Sequence, residues 1–204
     1  MIDLYAAPTS NGMRARLALE ECGLPYTWHR IDLTKGEHKK PEFLKLNPFG
    51  QIPAIVDPDG PGGKPVVLHQ STAILMYLAE KSGKLLPKNP ADRPLFLEAL
   101  MGGSTDITPQ FGAVNAARMM KEPHAPTVDA LKARLTHLFK VWDGLLATRK
   151  YAAGSDYTIA DVSLYAGFWR CKGAMPEVLA GLPNLERWAA EVAARPGVQR
   201  ATKI

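Results

Sequence analysis

Cysteine is scarce in this chain. Only Cys22 and Cys171 occur among 204 residues, far apart and in no CxxC arrangement. That excludes a disulfide framework and a cysteine zinc site. The five histidines, at 29, 38, 69, 124 and 137, show no HExxH or comparable ligand spacing. Long apolar runs are also missing: charge interrupts every one well short of the roughly 18 residues a membrane span needs. The start, MIDLYAAPTS, has no basic n-region and an acid at position 3, unlike a secretory signal. The formal charge is +5, a modest preference for small anions. The one compact basic cluster, His38-Lys39-Lys40, is too short to make a nucleic-acid groove. These absences predict a cytoplasmic, metal-free protein with no membrane or nucleic-acid partner.

What is present looks like an ordinary folded chain, 46% hydrophobic and 22% charged. Ile2 to Ala6 alternates and reads as a strand. PTSNG follows, then a helix from Gly12 to Cys22, with Gly23 suited to its C-terminal side. Tyr26 to Leu33 reads as a second strand. Pro41 can open a short helix that Asn47-Pro48 ends. Ile52 to Val56 is a third strand, DPDGPGGKP a polar turn, and Val66 to Gln70 a fourth. Ser71 then caps a helix to about Lys81. The order β-α-β, β-β-α predicts a thioredoxin-like α/β domain over 1–83, with a mixed four-stranded sheet. Residues 84–92, KLLPKNPAD, read as a linker. Residues 93–204 read as an all-helical bundle: Leu131, Leu135, Leu138, Trp142 and Leu145 recur at helical spacing. Thr158 and Asp161 have the spacing of a capping box. Gly102-Gly103 and Pro109 should bend or break the bundle's first long helix, and a last helix starting at Asn184 should stop before Pro196.

Pro53 raises a separate question, since proline gives a sheet ladder no N–H. If the Ile52–Pro53 bond is cis, Ile52 can offer its own N–H and C=O off the sheet end to an extended peptide.

Four stretches together carry a resemblance over nearly the whole chain: APTSNGMRARLALEE, KGEHKKPEFLKLNPFGQIPAIVD, LHQSTAILMYLAEK and YTIADVSLY. They resemble the cytosolic glutathione transferases. The resemblance implies a homodimer that binds glutathione in its first domain and activates the thiolate against a small electrophile. It implies a cis Ile52–Pro53 bond, with Ile52 and Gln51 on the peptide backbone of glutathione. It places Gln70 and Ser71 on the γ-glutamyl group, and His38 and Lys39, in a segment resembling the plant phi class, on the glycyl carboxylate. No metal is implied. The bundle would supply an apolar wall, with Phe111, Met119, Met120, Tyr165 and Trp169 as candidates.

Activation has to lower the thiol pKa. A thiol near pKa 8.5 is about 3% ionised at pH 7, and lowering it by about two units takes roughly 2.7 kcal/mol. A hydrogen bond to a charged acceptor contributes roughly 1.5–3 kcal/mol, and a helix N-terminus about 0.3–1 kcal/mol. One hydroxyl or amide at the start of the first helix is therefore enough. Aligned on Pro8 and Arg14, Ser10 falls where serine-type classes keep their hydroxyl. Aligned on the Asn-Gly pair, the stretch resembles the bacterial nu class, where Thr9 and Asn11 would face the sulfur and the activity is reduction of disulfides by glutathione. Tyr5 is a weaker candidate, and Cys22 and Cys171 read as core. A third reading is a non-catalytic binding protein of the same fold.

Overall fold

A computed structural model describes all 204 residues, Met1–Ile204. The chain divides into two compact units: Met1–Leu86 with Arg195–Ile204, and Pro87–Ala194.

The first unit holds strands β1 (Ile2–Ala6), β2 (Tyr26–Arg30), β3 (Ala54–Asp57) and β4 (Val66–His69), and helices α1 (Ser10–Cys22), α2 (Pro41–Leu44) and α3 (Ser71–Ser82). The sheet order is β2-β1-β3-β4. β1 runs parallel to β2 and antiparallel to β3, and β3 antiparallel to β4, giving the expected mixed sheet. Alternation decides the faces. Ile2, Leu4 and Ala6 are buried, and α1 and α3 pack against each other with Leu17, Ala18, Ile74 and Leu78 in the same core. Each buried leucine or isoleucine contributes roughly 1.5–3 kcal/mol.

Several boundaries differ from expectation. β2 stops at Arg30 rather than Leu33, because Asp32 Oδ1 accepts from the N–H groups of Thr34 and Lys35 and from the Thr34 hydroxyl, a local turn that competes with strand. β3 starts at Ala54, two residues later than expected, because Pro53 has no N–H for the ladder. Ser71 is the first helical residue of α3, and the cap position belongs to Gln70, whose side chain makes no cap bond. The last helix expected does end before Pro196, at Ala193, but Pro196 then opens another, α9 (Pro196–Thr202). α9 packs on α1 rather than staying with the bundle. Val198 and Ala201 are buried, Arg195 pairs with Glu21 at 2.6 Å and Arg200 with Glu20 at 2.7 Å. The last ten residues thus join the first unit.

The second unit is helical: α4 (Arg93–Met101), α5 (Thr108–Arg118), α6 (Ala125–Leu146), α7 (Ile159–Ala174) and α8 (Pro183–Ala193). At the predicted bend or break after α4 the chain stays helical and widens into a π-helical stretch, Gly102–Ile107. Its loosened carbonyls are bonded by hydroxyls, Ser104 to Leu100 O at 2.8 Å and Thr105 to Met101 O at 3.0 Å. In α6 the buried line is Leu135, Phe139, Trp142 and Leu146, one step round from the leucines that marked the helix in sequence. Asp143 of α6 accepts from the N–H groups of Asn184 and Leu185, capping α8 from outside. Thr158 and Asp161 form the predicted capping box at α7. Asp161 also accepts from Ala152 N–H and Trp188 Nε1. No helix is long and apolar enough to cross a membrane.

Candidate active site

The sheet register brings distant stretches to one edge. Tyr5 pairs with Ala54 and Ala54 with His69. The end of β1, the start of β3 and the end of β4 therefore share one side of the sheet. Beyond those residues come Thr9-Ser10-Asn11 at the start of α1, Ile52-Pro53 before β3, and Gln70-Ser71 at the start of α3. The Ile52–Pro53 peptide is cis. A side-chain bond across the gap shows the convergence: Ser71 Oγ donates to Asn11 Oδ1 at 3.3 Å.

α1 enters the edge very closely. A Cβ at Gly12 would overlap the carbonyl oxygen of Ala7, so only glycine fits. Thr9 is the N-cap, its Oγ1 accepting from Gly12 N–H at 3.1 Å. The hydroxyl proton of Thr9 stays available to donate. Ser10 is 4% exposed, whereas Thr9 and Asn11 are half-buried. The first turn carries no acid, which leaves the positive helix end uncompensated.

Gln70 adopts φ 73 and ψ 107, a backbone region costly for a non-glycine residue and found where a site over-determines it. Its side chain is exposed, as is that of Gln51.

The loop before Pro53 is tied down by two residues. Asn47, buried, donates from Nδ2 to Gln51 O at 2.5 Å and accepts from Phe49 N–H at 3.1 Å. Lys39 Nζ donates to Gly50 O at 2.9 Å. Lys39 is thus partly engaged in holding the loop. His38 Nδ1 is enclosed and has no partner. Neither cysteine is poised for chemistry: burial pushes the Cys22 thiol up, and burial, with Glu177 nearby, pushes Cys171 up to about 12. Tyr5 stacks on His29 at 4.5 Å, and burial, aided by Asp3, raises its pKa. No group of side chains could hold a metal ion.

The model of the glutathione S-transferase N-terminal domain matches residues 10–81, and that of the C-terminal domain residues 104–196. The chain belongs to the glutathione transferase family. It is 35% identical to the disulfide-bond oxidoreductase YfcG of Escherichia coli (strain K12), over 98% of this chain and 94% of that protein. It is 32% identical to glutathione S-transferase 3 of Zea mays, over 98% and 92%. A solved glutathione transferase from Pseudomonas putida, with one glutathione disulfide bound per subunit, superposes with a TM-score of 0.93 at 35% identity, covering all of this chain and 91% of that one.

Within this glutathione transferase chain, sequence reasoning missed two side chains. One is Asn47, taken only as a helix ender. The other is Arg14, used only as an alignment mark. Arg14 is 1% exposed, and its Nη1 donates to Asn11 Oδ1 at 2.6 Å and to Ser71 Oγ at 3.2 Å. Burial lowers its pKa to about 10, which still leaves it charged at neutral pH. A buried arginine on an otherwise apolar helix face was the available signal, since such a charge must be paired or bonded. Of the candidate wall residues, Phe111 and Tyr165 are buried within the second unit, Trp169 is half-buried, and Met119 and Met120 are exposed.

Proposed function

We propose that the protein is a glutathione-dependent enzyme that activates the glutathione thiolate at the start of α1, and that its preferred acceptor is a small disulfide. The carrying observation is the difference between the candidate donors: Ser10 is buried in the protein, whereas Thr9 and Asn11 are half-buried at the helix start. The likeness to a disulfide-bond oxidoreductase supports the same reading.

The reaction balances without a further oxidant or reductant. A glutathione thiolate attacks one sulfur of the disulfide, the S–S bond breaks, and one thiolate leaves. A second glutathione thiolate attacks the mixed disulfide at the glutathione sulfur. The products are two thiols and glutathione disulfide, the species held by the Pseudomonas putida relative. Attack on an electrophilic carbon uses the same thiolate and is the second reading, supported by the likeness to the maize transferase.

In this reading Ile52 and Gln51 bind the peptide backbone of glutathione beside Pro53, Gln70 and Ser71 take the γ-glutamyl group, and His38 and Lys39 face the glycyl carboxylate. Ser71 sits at the N-terminus of α3, where backbone N–H groups and the helix dipole favour an anion. Assembly as a homodimer and a cytoplasmic location belong to the same proposal, and light scattering of the purified protein checks the first.

The test compares single alanine variants in two assays, reduction of a small disulfide and conjugation of a chloronitrobenzene. Thr9→Ala and Asn11→Ala should each cut disulfide reduction about tenfold, the value of one bond to a charged acceptor, while Ser10→Ala is tolerated. Wild type should reduce the disulfide faster than it conjugates. A large loss in Ser10→Ala with Asn11→Ala intact would return the assignment to a serine-type transferase.

A further inference from the structure

Both site side chains at the α1 and α3 starts converge on one buried cation. Arg14 Nη1 reaches Asn11 Oδ1 at 2.6 Å and Ser71 Oγ at 3.2 Å, and Ser71 Oγ donates to the same Oδ1 at 3.3 Å. Arg14 lies one helical turn after Asn11 and is enclosed, so it cannot itself meet a ligand in solvent. Its guanidinium is donor-only. Whatever it touches must present an acceptor.

That constraint settles the direction of each partner. Were the Asn11 amide turned over, its NH2 would face a guanidinium N–H at 2.6 Å, donor against donor. The carbonyl oxygen must face Arg14, and the amide NH2 is then turned away from the guanidinium. For Ser71, an oxygen lone pair is committed to Arg14. Its proton is then directed away from the guanidinium, to Asn11 Oδ1 at the longer distance, and can turn to a carboxylate without losing the Arg14 bond.

We propose that Arg14 is the positioning residue of the site: it makes Asn11 a donor toward the sulfur and Ser71 a donor toward the γ-glutamyl carboxylate. This rests on the reading of the site given above and goes beyond it, because one buried residue then orients the groups for both ends of the ligand. A planar fork suits this task better than a single ammonium, which lacks two fixed donor directions.

The experiment measures the apparent pKa of the bound thiol from the pH dependence of kcat/KM for disulfide reduction, with thermal midpoints as the folding check. Arg14→Lys should raise that pKa by about one unit and lower kcat/KM about tenfold at about pH 5.5, below both values. Asn11→Ala should do the same. In the double variant the second change should shift the thiol pKa little further, because both remove one interaction at the sulfur end. Asn11→Asp gives an independent reading should Arg14→Lys fail to fold. It keeps the acceptor for Arg14 and the thermal midpoint, but has no donor for the sulfur, and kcat/KM should fall at least tenfold. Additive shifts of the thiol pKa by Arg14→Lys and Asn11→Ala would overturn the proposal, and so would a wild-type thiol pKa in Asn11→Asp. If Asn11→Ala alone keeps full activity, the underlying assignment of the sulfur site falls as well.

Discussion

Helices α1 and α7 both begin at a threonine whose hydroxyl oxygen accepts a first-turn N–H, Gly12 at 3.1 Å for Thr9 and Ala160 at 3.2 Å for Thr158. At α7 the third helical residue is Asp161, fully buried, which accepts from Thr158 N–H, Ala152 N–H and Trp188 Nε1. At α1 the third helical residue is Gly12, and the first turn has no acid. One helix start is neutralised by its own side chains and joins the hydrophobic core. The other keeps its positive end open at a sheet edge. The same cap chemistry closes one helix start with an acid and leaves the other without one, and a helix start without an acid favours an anion.

The largest expected effect lies at the closed end. Asp161→Ala would leave three buried donors without an acceptor, each worth roughly 1–3 kcal/mol. A loss of about 4 kcal/mol or more should appear in the urea midpoint, and a loss under about 1 kcal/mol would break the comparison. Burial pushes the Asp161 carboxyl up to about 6, against the pull of its three donors. A carboxyl raised in the folded state holds its proton more tightly there than in the unfolded chain. Its contribution to stability therefore falls as pH rises from about 4 to about 6. Asp161→Asn should be less stable than wild type by roughly 1–3 kcal/mol and should lack that part of the pH slope. A difference between the two proteins that stays constant from pH 4 to 6 would sink the titration argument.

A matched pair sharpens the contrast. Thr158→Ala and Thr9→Ala should each cost about 1–2 kcal/mol of stability. Only Thr9→Ala should also lower disulfide reduction, about tenfold, and equal activity losses in the two variants would count against an open, functional α1 start. The smallest effect concerns the strained Gln70. Gln70→Gly relieves a backbone cost of roughly 1–3 kcal/mol but adds glycine's entropy, for a net gain of about 1 kcal/mol. The KM for glutathione should rise about tenfold, the value of one hydrogen bond to a charged group. A lower melting point would show that the backbone at Gln70 is not under strain.

The architecture was largely legible because it rests on period and punctuation. Alternation in IDLYA, the Gly23 stop, the Thr158–Asp161 spacing and the Gly102-Gly103 irregularity each act within a few residues, and the structure has all of them. Two boundary readings failed for local reasons, the Asp32 turn that ends β2 and the missing N–H of Pro53 before β3, and the others involve partners far along the chain. Ser71 looks like a cap because serine usually is one, yet its hydroxyl is drawn to Arg14, fifty-seven positions away. Pro196 was legible as a stop, but its second role, opening α9, depends on the acids of α1. The candidate site was legible as residue types and hidden as directions. The burial of Ser10 beside half-buried Thr9 and Asn11 follows from how α1 seats against the sheet, and that seating has no sequence period.

The return of α9 to α1 has a consequence for the order in which the protein can be completed. Arg200 and Glu20 are 180 residues apart in the chain, and Arg16 donates to Lys203 O at 3.2 Å. During synthesis the segment that covers this flank of α1 emerges after every helix of the second unit. The second unit can therefore close while the first still waits for its last helix. The first unit is split in sequence, and its final contacts carry the large loop-closure cost of widely separated partners.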